Sequence, residues 1–188
     1  MKNYFRGENM KKVAKFEKVS FEKFYESCMM HHMTVEDIHK SYNSLKIPKR
    51  ATKGSAGYDF YSPFDFELNP GETILIPTGI RCKINEGYFL GLFPRSGLGF
   101  KYRMQLNNTV GIIDSDYYFS DNEGHIMAKI TNDTNENKKL CIKAGEGFMQ
   151  GIFISFGITE DDVSDGVRDG GFGSTDKQRK KEPILYAM

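Results

Sequence analysis

The chain is short of cysteine, of excess charge and of long apolar runs, and each shortage closes off a class of protein. Cys28, Cys82 and Cys141 are the three cysteines of 188 residues. An odd, scattered set of this kind argues against a disulfide framework. Lysine and arginine number 26 against 25 aspartates and glutamates, a formal net charge of +1. Without a basic surplus there is no electrostatic footprint for nucleic acid or an anionic membrane, so neither is expected as a partner. A small phosphorylated ligand would need only a local cluster. No stretch approaches a membrane span, and the opening "MKNYFRGENMKKVAKFEKV" lacks the apolar core of a secretion signal. A cytoplasmic location is therefore expected. Either Met1 or Met10 could be the native start. No internal repeat is visible. Cys28, His31, His32 and His39 match no structural zinc spacing, so no protein metal cluster is expected.

What is present falls into segments. Residues 1–46 read as a strand and helical extension. "KKVAKFEKV" suits a strand, while Phe21, Phe24 and Tyr25, then Val35, Ile38 and Tyr42, recur at helical spacing. Thr34 followed by Asp37 is a capping box in outline, and Pro48 closes the second helix. Residues 47–160 are mostly β: "TILIPTGIRCKI" alternates, with Ile80, Cys82 and Ile84 on one side, and "GHIMAKITN" and "MQGIFISFGI" supply further strands. Asn69-Pro70-Gly71 and Asn85-Glu86-Gly87 are turn signals at the spacing of a sandwich or barrel. Residues 161–176 form a glycine-rich arm and residues 177–188 a polar, basic tail.

One stretch raises a chemical question. "PRSGLGFK" sets Arg95, Ser96 and Gly97 in one turn after a strand-like run. A guanidinium, a hydroxyl and backbone amides aimed at one small volume would bind an anion, although an ordinary strand connection with a surface arginine reads the same way. "NTVGIIDSDY" reads as one arm of a hairpin, with Asp114 after an apolar pair. A carboxylate held at a strand edge can take a proton from water and orient it for attack on phosphorus, or merely cap its own backbone.

Five stretches, "AGYDFYS" (56–62), "PRSGLGFK" (94–101), "NTVGIIDSDY" (108–117), "GEGFMQGIFI" (145–154) and "RDGGFGST" (168–175), occur in an order and spacing that resembles the five motifs of the homotrimeric dUTPases. The likeness covers roughly residues 50–175. It implies a jelly-roll-like dUTPase fold, a homotrimer, and hydrolysis of dUTP to dUMP and pyrophosphate, keeping uracil out of DNA. Asp114 would be catalytic, orienting the water that attacks the α-phosphate. Arg95, Ser96, Gly97 and Gln150 would hold the phosphates. The backbone around Asn108 and Met127, with Gly111, Ile112 and Ile113 along the hairpin, would read uracil, and Tyr117 would pack under the deoxyribose and exclude a 2′-hydroxyl. Phe172 would stack on the base from a mobile C-terminal arm, with Arg168, Gly173, Ser174 and Thr175 near the phosphates. Mg2+ would come in through phosphate oxygens and water, since that ion usually keeps part of its hydration shell. Each site would draw phosphate motifs from one chain, the uracil hairpin from a second and the arm from a third.

Three features depart from the family pattern. Gly145-Glu146-Gly147 stands where relatives commonly carry Gly-Asp-Arg, "YFSDNE" lengthens the segment after Tyr117, and Arg168 lies four residues before Phe172, one closer than in many relatives. A dCTP deaminase shares the fold, but its catalytic glutamate would fall at Lys129, which cannot do a carboxylate's proton transfers. A dUTP-sensing regulator that contacts a partner protein through the extra segments is the other alternative.

Overall fold

The computed structural model describes residues 10–164. The extension is built into the β domain and begins it. Strand β1 (Ala14–Lys18) lies antiparallel to β6 (Ile80–Ile84), from Ala14 opposite Ile84 to Lys18 opposite Ile80. Ser20 then caps α1 (Phe21–Cys28) by accepting from the Lys23 amide. Thr34 caps α2 (Val35–Ser44), its Oγ1 accepting from the Asp37 amide at 3.1 Å. Phe24, Cys28 and Ile38 meet Val19 in a small second core, with Tyr42 and Leu45 packed around it. Phe24 is fully buried, which contributes about 1.5–3 kcal/mol for a side chain of that size. Val35, expected on this face, is 54% exposed instead; it is the first residue of α2, and the packed stretch begins at Ile38.

The rest is mostly β, as expected. A five-stranded sheet runs β2 (Lys49–Arg50), β3 (Tyr58–Tyr61), β12 (Gly147–Ser155), β7 (Tyr88–Pro94), β9 (Gly111–Ile113). A three-stranded sheet runs β5 (Thr73–Pro77), β10 (Met127–Asn132), β8 (Met104–Leu106), and β4 (Phe66–Leu68) pairs with β11 (Leu140–Ile142). The alternating faces of these strands enclose one core, with Phe60, Ile76, Leu90, Ile126, Ile130 and Phe148 at its centre. Between β5 and β6 the chain turns at Gly79, which has φ +70°; a Cβ there would lie 2.3 Å from Leu45 Cδ1 of the extension. Both the turn and the close approach demand glycine.

Two local expectations give way. The turn after Pro94 is a short helix, α3 (Ser96–Tyr102), closed by Arg103 in the left-handed region at φ 49°. And β9 is no arm of a local hairpin: it pairs with β7, while β10 goes to the other sheet. Between them Ser115–Phe119 form a 3-10 helix and residues 121–124 a loop, so the lengthened segment turns the chain from one sheet to the other.

Candidate active site

Three strands converge on one cleft. In β12, Gln150 stands opposite Asp59 of β3 and opposite Phe93 of β7, two residues before Arg95. This register sets the carboxylate, the amide and the guanidinium side by side. They line a cleft of about 370 Å3 with Gly57, Ser96 and Ile152. Arg95 Nε lies 3.3 Å from Asp59 Oδ1, and its Nη1 donates to the Gly147 carbonyl at 3.0 Å. Gln150 Nε2 donates to the Pro94 carbonyl at 3.2 Å. Beyond Arg95, the amides of Ser96 and Gly97 head α3, and neither has an acceptor among the described residues. A half-exposed guanidinium, a hydroxyl and two amides therefore share one opening, the arrangement that suits phosphate oxygens.

Two glycines make the cleft possible. A Cβ at Gly57 would lie 2.3 Å from Gln150 Oε1, and one at Gly147 would lie 2.8 Å from Arg95 Nη1. Arg95 occupies the space beside the bare Cα of Gly147 and bonds its carbonyl. Asp59, Gly57 and Gly147 were not singled out from sequence as site residues. The signal for Asp59 was the carboxylate within "AGYDFYS", but its pairing with Arg95 depends on a three-strand register.

Asp114 stands elsewhere. The β7–β9 register runs from Leu92 opposite Gly111 to Leu90 opposite Ile113, so Asp114 continues toward the start of β7. Arg95 follows the end of that strand. At about 3.3 Å per strand residue, the two ends lie roughly 20 Å apart in one chain. Asp114 caps the 3-10 helix by position, but its side chain makes no capping hydrogen bond. Gly111 and Ile113 are buried against β7, so only their backbone could meet a ligand, whereas Ile112 is 51% exposed. β9 is an edge strand, which leaves its outer backbone groups free of the sheet ladder. The β8–β10 register places Asn108 beside the start of β10: Leu106 faces Ile130 and the Asn107 amide donates to the Lys129 carbonyl, which brings Asn108 near Met127. Tyr117 is 4% exposed, its hydroxyl donating to the His125 carbonyl at 2.9 Å. So tied, its ring is held in place. Arg168, Phe172, Gly173, Ser174 and Thr175 lie outside the described residues.

No group of three or more His, Cys, Asp or Glu among the described residues is arranged to cage a metal. Asp59 is the carboxylate lining the cleft. Its hard oxygens beside an opening lined by Arg95 and Ser96 fit a magnesium ion that keeps part of its water shell. No described helix is long and apolar enough to cross a membrane.

The family model for dUTPase matches residues 43–176. A deoxyuridine 5'-triphosphate nucleotidohydrolase of Lactococcus lactis is 41% identical over 134 residues, covering 70% of this chain and 88% of that protein. One from Finegoldia magna is 41% identical over 150 residues, covering 76% and 99%. Among solved structures, the dUTPase of Streptococcus mutans superposes with a TM-score of 0.57 at 34% identity, over 77% of this chain and 98% of the other. Neither the deaminase nor the sensor alternative finds support in these likenesses. With five motifs in order, an arginine-lined cleft where three of them meet and relatives matched over most of their length, the chain belongs to the dUTPase family.

Proposed function

We propose that the protein hydrolyses dUTP to dUMP and pyrophosphate, as the relatives' name describes. The observation that carries this reading is the Arg95–Asp59–Gln150 cleft with the Ser96 hydroxyl at its rim. Arg95 and Ser96 donate to the triphosphate, with the guanidinium fork matched to phosphate oxygens. Asp114 accepts a proton from a water and aims it at the α-phosphorus; a bond forms from water oxygen to phosphorus and the bond to the bridging oxygen breaks, releasing pyrophosphate. Magnesium, when bound, would neutralise charge on the triphosphate, and Asp59 would hold its water shell. Asn108 and Met127 offer backbone to the uracil edge, and Tyr117 blocks a 2′-hydroxyl.

The same geometry favours an assembly of several chains. With Asp114 and Arg95 roughly 20 Å apart along β7, one chain cannot bring both to one phosphate. A homotrimer in which neighbours exchange these groups closes the site by symmetry. Phe100 and Phe119, 92% and 77% exposed, are large apolar side chains that a subunit contact would cover. Residues 1–46 are then an extension, 47–160 the catalytic domain, 161–176 an arm bearing Phe172 over a neighbour's base, and 177–188 a tail. The test is pyrophosphate release from dUTP, dCTP, dTTP and UTP with magnesium. Turnover far faster for dUTP supports the reading, and comparable turnover of UTP overturns the role of Tyr117.

A further inference from the structure

The segment "YFSDNE", residues 118–123, forms a hydrogen-bonded cage around Tyr117 and is itself held by the extension. Asn122 is its centre. Its Nδ2 donates to the Tyr117 hydroxyl oxygen at 2.9 Å while that hydroxyl donates to the His125 carbonyl at 2.9 Å. Asn122 Oδ1 accepts from the Ser120 hydroxyl at 2.8 Å and from the Gly124 amide at 3.1 Å. Ser120 Oγ also lies 2.7 Å from the Tyr117 carbonyl, so its single proton is shared between the two acceptors.

The cage is anchored from outside. Glu123 accepts from the Ser20 amide at 2.8 Å, which ties the loop to the start of α1. The Tyr118 hydroxyl donates to Glu17 Oε2 of β1 at 2.7 Å, and the Arg81 guanidinium lies 4.4 Å from the Tyr118 ring centre. His125, fully buried, accepts from the Gly79 amide at Nε2, which leaves Nδ1 to donate to Ser27 Oγ of α1.

A tyrosine that excludes a hydroxyl by contact works only if its ring cannot retreat, because a ring free to shift by about 1 Å would admit the extra oxygen. We infer that Asn122 is a positioning residue for sugar selectivity: by fixing the Tyr117 hydroxyl it holds the ring against the deoxyribose and sharpens the preference for dUTP over UTP. This rests on the reading of Tyr117 as the wall beneath the sugar. Asn122 itself need touch no substrate, so its loss should affect the two nucleotides unequally.

The experiment compares kcat/KM for dUTP and UTP in the full-length chain, Asn122→Ala, Tyr117→Phe and the double variant, with a Tyr117→Ala control. Losing one neutral hydrogen bond to the wall should lower the dUTP-to-UTP ratio about tenfold in Asn122→Ala, with dUTP turnover within about threefold of the parent. Tyr117→Phe keeps the loop but loses this bond together with the one to the His125 carbonyl, so it carries the test should Asn122→Ala fold poorly, and its ratio should fall at least as far. In the double variant, adding Asn122→Ala to Tyr117→Phe should change the ratio little further, because the bond from Asn122 to the ring hydroxyl is already gone. Equal losses on dUTP and UTP, or multiplying effects in the double variant, would overturn the inference while leaving the Tyr117 role intact. A ratio unchanged in Tyr117→Ala, or a parent that does not discriminate, would overturn the wall reading and this inference with it.

Discussion

The two ends of β7, which lies between β12 and the edge strand β9 in the five-stranded sheet, are built on opposite terms. At its C-terminal end the Arg95 cleft is open: a half-exposed guanidinium shares itself between Asp59 and the Gly147 carbonyl, and the amides of Ser96 and Gly97 have no acceptor among the described residues. At the end near β9, past Asp114, the chain closes into a cage: Tyr117, Ser120 and His125 are buried, with their polar atoms bonded to one another and to the extension. The open end leaves donors for a ligand to satisfy; the closed end fixes the shape of a wall. On the proposed reading the Arg95 end serves binding, while the other end carries Asp114 for the chemistry beside a caged wall that serves stability and selectivity. Substitutions at the two ends should fail in different assays.

The largest expected effect is on chemistry. Asp114→Asn should lose about two to four decades in turnover, the usual size of a general-base contribution, while a non-hydrolysable dUTP analogue binds nearly as before. A variant that keeps most of its turnover would remove Asp114 from the catalytic role. On the closed side, Phe24→Ala should cost about 3–5 kcal/mol in denaturant unfolding, because the small core around it has few other large side chains. Its effect on turnover at a temperature where the variant stays folded should be slight. A loss of activity without a loss of stability would break the division between the ends.

A smaller effect depends on pH. Burial holds the His125 imidazole down from 6.5 to about 4, against a weaker opposing pull from Glu123. Between those values the unfolded chain binds a proton that the folded chain does not, so stability rises with pH through that window and levels off above it. The gap corresponds to about 3 kcal/mol, at 1.36 kcal/mol per unit. Urea unfolding between pH 4 and 7 should show the slope, and His125→Gln should flatten it even if the variant is less stable throughout. Smallest is Phe172→Ala: loss of base stacking, about 1–3 kcal/mol, should lower kcat/KM about five- to a hundredfold.

Much of this was legible in the sequence where the signal is local. The cap Thr34, the helical spacing of Phe24, Ile38 and Tyr42, and the alternation of Ile80, Cys82 and Ile84 each set a structure within a few residues of themselves. Three of the five motifs mark the residues that line the cleft. What was not legible is what depends on distant partners. α3 carries two glycines in seven residues, a poor helix signal by propensity. The pairing of β9 with β7 cannot be read from "GII", which suits any edge strand. Asp59 meets Arg95 only because both β3 and β7 flank Gln150 in β12. Asn122 looked like a loop residue, since its partner is a tyrosine hydroxyl that folds back over it.

The central claim is that the open end of one chain works with the Asp114 end of another. Mixing Arg95→Ala chains with Asp114→Asn chains after reversible dissociation tests it directly, because each parent alone has no complete site. In a cyclic trimer with Arg95 and Asp114 drawn from neighbours, every mixed trimer regains one intact site of three, so an equal mixture should recover about a quarter of wild-type activity. Activity no higher than the mean of the two parents, in mixtures shown to contain mixed trimers, would mean that both residues serve a site within one chain.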